Sequence, residues 1–333
     1  MAVKTKSILV MFIVTFFLGG CATIADYSEP VSRLEKAIND SATSIEAIDT
    51  DITARQNRKL KEKIIAGSLL LDATNNECAA GKDNCSLIVL QETEGVAKAV
   101  SAYPLKSSMP KAIEAMDQVK MYVGRLKSIV DADTAAKVTA SANATLGSLE
   151  EIANQIANES GQASISKNKI TEYKEPVMGL IEWITNKHVE RVKKEALAKA
   201  TRDAQPVIEG LTTFYATAAQ SQKLAEFSGF HDSFIKNQEK FDDIPVTSSA
   251  VDSYVLAAAN YQVALKAQAA NPLKAFETAH EKLKKQLNGE DDKKTTLADV
   301  AAAIERLEQE VKKIKELVDS FKKSNDTNNG DQS

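Results

Sequence analysis

Residues 296–323 read TLADVAAAIERLEQEVKKIKELVDSFKK. Apolar side chains fall at Ile304, Leu307, Val311, Ile314, Leu317 and Phe321, three or four residues apart. That spacing puts them on one face of an α-helix and the charged residues on the other. Thr296 followed by Asp299 is a variant of the capping box that opens such a helix. Glu308 and Lys312 stand in the acid-first spacing that supports one. The charged face has two readings: a solvated surface, or an exposed coiled-coil surface for a partner.

The same period recurs towards the N-terminus. Val31, Leu34, Ile38, Ile45, Ile48 and Ile52 share a face, and Leu60, Ile64 and Leu71 resume it, which predicts a helix over 29–74. Residues 87–102 read as a further helix. Ser108 is placed to cap one that carries Ile113, Met116, Val119, Val123, Leu126 and Val130. After a break at 132–134, Val138, Leu146, Leu149, Ile152 and Ile156 mark the next. Pro176 opens another run, Pro206 marks a kink or restart, and Asp242-Asp243-Ile244-Pro245 is a stop. A long helix over 249–287 is bent at Asn271-Pro272, and a loop beginning at Gly289 precedes Thr296. No alternating strand pattern stands out, and the apolar run 86–90 is the one stretch that imitates a strand.

The expected fold is therefore all-α: an elongated bundle of long antiparallel helices with coiled-coil-like packing. Glycine (13) and proline (7) are sparse and alanine runs are frequent, which favours helix independently of period. The expected organisation is a removed leader over 1–20, a short tether over 21–28, helical regions over 29–160 and 161–323 that are either separate or continuous, and a disordered tail over 324–333.

The first twenty residues, MAVKTKSILVMFIVTFFLGG, have Lys4 and Lys6, an apolar run from Ile8 to Leu18, and then small residues. The pattern is that of an export signal. The apolar run is too short to cross the roughly 30 Å hydrocarbon core as a helix. It ends in Leu18-Gly19-Gly20-Cys21, which resembles the lipobox of bacterial lipoproteins. The resemblance covers only these opening residues. It implies cleavage before Cys21, lipid on the Cys21 sulfur, and acylation of the new amino terminus. Several acyl chains anchor stably where one binds only marginally. Ala22, where an aspartate signals inner-membrane retention in Gram-negative bacteria, implies outer-membrane sorting, with the periplasmic or surface face left open.

With Cys21 lipidated, Cys78 and Cys85 remain as an even pair in an oxidising compartment. A disulfide between them is expected, in preference to a metal or redox pair. No metal and no cofactor is expected beyond the covalent lipid.

Aromatic residues concentrate between Tyr173 and Phe276. Phe227, Phe230, Phe234 and Phe241 form a stripe, with Phe214 ahead of it. They read either as a thick helical core or as a groove for an apolar ligand or partner helix. Trp183 reads as packing, with Glu182 beside it a weak candidate acid.

His188, His231 and His280 form no ligand-spaced cluster, and His188 and His280 lie in charged, surface-like surroundings. No nucleophile or phosphate-binding motif is present, so no catalytic residue is assigned and no enzyme is expected. The formal net charge of -4 gives no support for nucleic-acid binding, which needs a concentrated basic surface. The expected function is a non-enzymatic envelope lipoprotein that acts as a helical scaffold or protein-docking module. Its expected partners are membrane lipid, through the anchor, and an envelope protein; self-association has no sequence support. The alternative is an apolar ligand or lipid held among the aromatics.

Overall fold

The computed structural model describes residues 23–72, 86–93, 95–106, 110–160, 189–239, 247–289 and 295–330. A single 3-10 turn, Ile24–Tyr27, leads into α1 (Ser28–Ile65). Three strands follow: β1 (Leu70–Asp72), β2 (Leu87–Thr93) and β3 (Val96–Tyr103). Then come α2 (Pro110–Asp131), α3 (Ala135–Ser160), α4 (Val189–Glu239), α5 (Ser248–Ala269), α6 (Pro272–Asn288) and α7 (Leu297–Gly330).

The fold is predominantly helical, with 83% of the described residues in helices, but it is not purely α. The strands form one antiparallel sheet in the order β1-β2-β3. Residues expected to continue the first helix or to form the second one make this sheet instead. The physical cause is a stop at the end of α1. Gly67 takes φ 74, a conformation that costs glycine little, and two bonds close the helix end: Gly67 N–H to the Ile64 carbonyl at 3.1 Å, and Ser68 N–H to the Lys63 carbonyl at 3.0 Å. Leu70 and Asp72 then pair with Leu90 and Ile88, and β2 returns along β3 through a turn in which Gly95 has φ 78.

Several sequence signals mark real boundaries. The Asp299 carboxylate accepts Thr296 N–H at 2.8 Å, and Asp299 N–H donates to the Thr296 hydroxyl at 3.2 Å, so the capping box forms. The expected long helix over 249–287 divides at Asn271, whose side chain accepts Lys274 N–H at 3.0 Å, with Pro272 in the first turn of α6. Gly289, at φ 64, ends α6. Thr134 accepts Lys137 N–H at 3.3 Å at the start of α3. Pro206 does not restart a helix, since α4 continues through it. Helix α7 extends to Gly330, past the expected start of a disordered tail at 324, because adding residues to a formed helix is far easier than nucleating one.

A main core joins α1, α2, α3, α4, α6 and α7, while α5 packs through a second, smaller cluster with Phe230, Ile314 and Leu317. The main core contains Ile24 and Tyr27, Leu34 and Ile38 of α1, Tyr122 and Leu126 of α2, and Leu149 of α3. It also takes in Ile208 of α4, Phe276 of α6 and Leu307 of α7. Residues on both sides of position 160 therefore share it. Helix directions are mixed. Arg33 meets Glu308, and farther along α1 Asp40 meets Lys315, so both contacts advance the same way and α1 runs parallel to α7. By contrast, Glu35 lies against Gly124 and Asn57 against Leu105, so α2 descends beside α1.

The expected Cys78–Cys85 disulfide is corrected. No disulfide bond is present among the described residues, and both cysteines lie outside them. The chain on either side of them is already held together by the β1–β2 ladder, so closing that connection does not depend on a covalent link. Cys21, expected to carry lipid, also lies outside the described residues. The segment expected to be a tether is folded from Thr23 onwards. The Asp26 carboxylate accepts Thr23 N–H at 2.7 Å, and Ile24 and Tyr27 enter the core.

Candidate functional site

The bundle has two contrasting regions with chemistry to offer: an exposed end and a buried polar relay. The exposed end is built on the last turns of α1. Asn57 donates to the Leu105 carbonyl at 3.1 Å and accepts Leu105 N–H at 2.5 Å, which ties the exit of β3 to the helix. Val89 of β2 is fully buried, but Val96 is 67% and Ile65 74% exposed, and Leu70, Leu71 and Val100 are exposed as well. A second apolar surface lies along α5, where Val251, Val255 and Leu265 recur on one face and are exposed, with Val255 at 60%. Between Ser248 and Ala269 only Asp252 and Lys266 are charged, so α5 is apolar on more than one side. A helix of that composition is expected to be covered all round. Large apolar side chains grouped on an exposed surface mark interaction sites more often than lone ones do.

The aromatic residues lie where α4 packs on α5. Phe234 stacks on Tyr261, with ring centres 5.3 Å apart and planes 13° apart, and lies 5.4 Å from Tyr254. Phe230 is buried with Ala264, Ile314 and Leu317, and the Arg55 guanidinium sits 5.5 Å from its ring centre. Phe214 and Phe227 occupy positions of α4 whose side chains are not described, and Phe241 lies outside the described residues. The structure thus brings together two of the five expected groove residues, Phe230 and Phe234. A groove of about 410 Å³ lies elsewhere, on α1, lined by Thr43, Glu46, Ala47, Thr50, Asp51, Ala54 and Val318.

Nothing in the sequence pattern points to the relay. His280 was expected at the surface, but its ring is completely buried between α2, α4 and α6. Gln205 donates from its amide nitrogen to the Glu209 carboxylate at 2.9 Å, which turns its carbonyl oxygen towards His280. That oxygen lies 2.8 Å from Nδ1, and an amide oxygen can only accept, so Nδ1 carries the proton. Nε2 is then the acceptor for the Tyr122 hydroxyl at 2.6 Å. Burial, reinforced by the charge of Lys284, drives the His280 pKa down to about 3. Burial, with the Asp203 charge adding to it, pushes the Tyr122 phenol well above its ordinary value and keeps it a donor. All members are satisfied, and Tyr122 and His280 are sealed from solvent. The relay specifies how three helices meet, as buried polar networks do when complete.

No known protein family, curated protein or solved structure matches this chain.

Functional assignment therefore rests on the residues themselves. His231 is exposed, 3.8 Å from the Asp232 carboxylate and edge-on to Tyr261, while His188, Glu182 and Trp183 lie outside the described residues. Among the described residues, no group of three His, Cys, Asp or Glu side chains is placed to hold a metal ion. No described helix is long and apolar enough to cross a membrane.

The charges that bridge helices are structural. Arg33 grips Glu308 with two bonds, Nε at 3.0 Å and Nη2 at 2.6 Å, holding the Glu308 carboxyl below its usual range. Glu308 therefore faces α1, although its spacing suggested Lys312 as its partner.

Proposed function

We propose that the chain is a non-enzymatic, lipid-anchored protein of the bacterial envelope, a helical post that presents a docking surface away from the membrane. Anchoring is expected from the lipobox at Leu18-Gly19-Gly20-Cys21. The observation that carries the docking role is the group of exposed apolar side chains around the sheet, Ile65, Val96 and Val100, with Val251, Val255 and Leu265 of α5 as a second exposed apolar surface. The 38 residues of α1 separate the two ends by about 57 Å at 1.5 Å per residue. Thr23, two residues after Cys21, already caps the first folded turn, so an anchor at Cys21 would hold this end of the bundle against the lipid. The partner expected on this reading is another envelope protein.

Two substitutions with a photocrosslinking residue, at Val255 and at Lys137, test it in membranes. The expected result is a discrete adduct from Val255 and none from Lys137, with Cys21→Ala releasing the protein from the membrane fraction. Equal adducts from both positions, or a Cys21→Ala protein that stays membrane-bound, would overturn the reading.

A further inference from the structure

We propose that the open edge of β3 accepts an extended, acidic segment of a partner protein as an added strand. This deepens the docking reading and rests on it. Among the described residues β3 is one of the two outer strands of its sheet, and Val96 to Val100 are all exposed. The outward N–H and C=O groups of an edge strand have no ladder partner and form a template for pairing. Pairing with β2 is regular from Val96 opposite Thr93 to Ala99 opposite Leu90, and the next paired residue is Ser101, so Val100 is bulged. The regular template is therefore Val96–Ala99. A bulge twists an edge and limits how far a second strand can follow it.

Charge selects the occupant. Lys98 lies within the template, and Arg58, Lys59, Lys61 and Lys63 are exposed on the last turns of α1, which contacts β3. None of these five cations has an ion-pair partner among the described residues; Glu62 and Glu92 are the exposed acids close to them in sequence. Antiparallel pairing of β3 with its own copy would bring two Lys98 ammonium groups and two basic helix ends together, which like charges oppose. An extended segment with acidic residues on the face that carries Lys98, alternating with apolar residues on the face of Ala97 and Ala99, satisfies the backbone and the cations at once.

The test uses the full chain and a fluorescent octapeptide of alternating valine and glutamate, with valine–lysine as control. Expected are about tenfold tighter binding of the acidic peptide at low salt, about tenfold loss in Lys98→Glu, and weakening by salt. Slowed amide exchange at Val96–Ala99 on binding would identify strand addition. Equal affinity for both peptides, or binding without protection of β3, would overturn it. So would association with phosphatidylglycerol vesicles that Lys98→Glu abolishes, since the cations would then serve a membrane. If the peptide fails while the Val255 adduct persists, strand addition falls and docking stands; if both fail, neither survives.

Discussion

Along α1 the first two-thirds and the last third are treated differently. Val31, Leu34, Ala37 and Ile38 are buried, and Ile52 is the last buried side chain on the helix. Beyond it Leu60 and Ile64 are only half-buried and Ile65 is exposed. The lower part packs on α2, α6 and α7, while the upper part meets the small sheet and, through Arg55, Phe230 of α4. Cooperative stability should therefore reside in the lower bundle, leaving the far end free to expose side chains at small cost.

The sharpest way to break this comparison is to remove a large side chain from the lower core. Phe276→Ala should lower unfolding free energy by about 3–5 kcal/mol in denaturant titrations, since Phe276 is fully buried beside the relay. A loss below 1 kcal/mol would place the stable unit elsewhere.

A pH titration probes the same region without truncating it. The folded His280 pKa of about 3 lies below the ordinary value of 6.5, so the unfolded chain binds the extra proton between them. This contribution is complete above pH about 6.5, and stability falls as pH drops from there towards 3, by about 1.4 kcal/mol per unit once His is mostly protonated in the unfolded chain. The carboxyls with lowered values, Glu308 and Glu281, add the same sign of effect only nearer their own lower range. Denaturant midpoints between pH 6 and 4.5 should fall steadily, and His280→Gln should flatten that slope. An unchanged slope in the variant would remove His280 as its source.

Tyr122→Phe is a finer cut. It leaves the buried Nε2 of His280 without its donor and should cost about 1–3 kcal/mol. At the far end Ile65→Ser should change stability by no more than about 0.5 kcal/mol. Should Ile65→Ser cost as much as Tyr122→Phe, the distinction between the two parts of α1 would be lost.

Legibility in the sequence followed the same divide. The lower helices were readable because Val31 to Ile52, Met116 to Val130 and Ile304 to Leu317 repeat at helical spacing, and because their ends use local chemistry: Thr296 with Asp299, Asn271 with Pro272, and Gly289. The sheet was not. Val96 and Val100 lie four apart, as on a helix, and β2 is an apolar run without alternation. The strand-like apolar run 86–90, Gly67 and Gly95 were the signals available, but a short apolar run and a glycine do not by themselves say whether the chain turns into a strand or another helix. Of the candidate aromatics, Phe230 and Phe234 were recognisable as neighbours on one helix face, while their partners Arg55, Tyr254 and Tyr261 were not. The β3 edge was invisible, because an edge is defined by the strand that fails to arrive.

By itself the sequence determined where the bundle helices form and which face of most is apolar, but not the strands at 70–72, 87–93 and 96–103, since periodicity and caps act over a few residues. It also carries, over residues 1–21, the resemblance to an export signal and lipobox on which the proposed envelope role rests. Only the tertiary structure decided that α1 and α7 run parallel, that β1 to β3 pair, and that His280, flanked by charges in ETAHEKLKK, is enclosed with Tyr122 and Gln205. Those outcomes depend on residues far apart in the chain, whose meeting is set by packing of whole helices and not by any local preference.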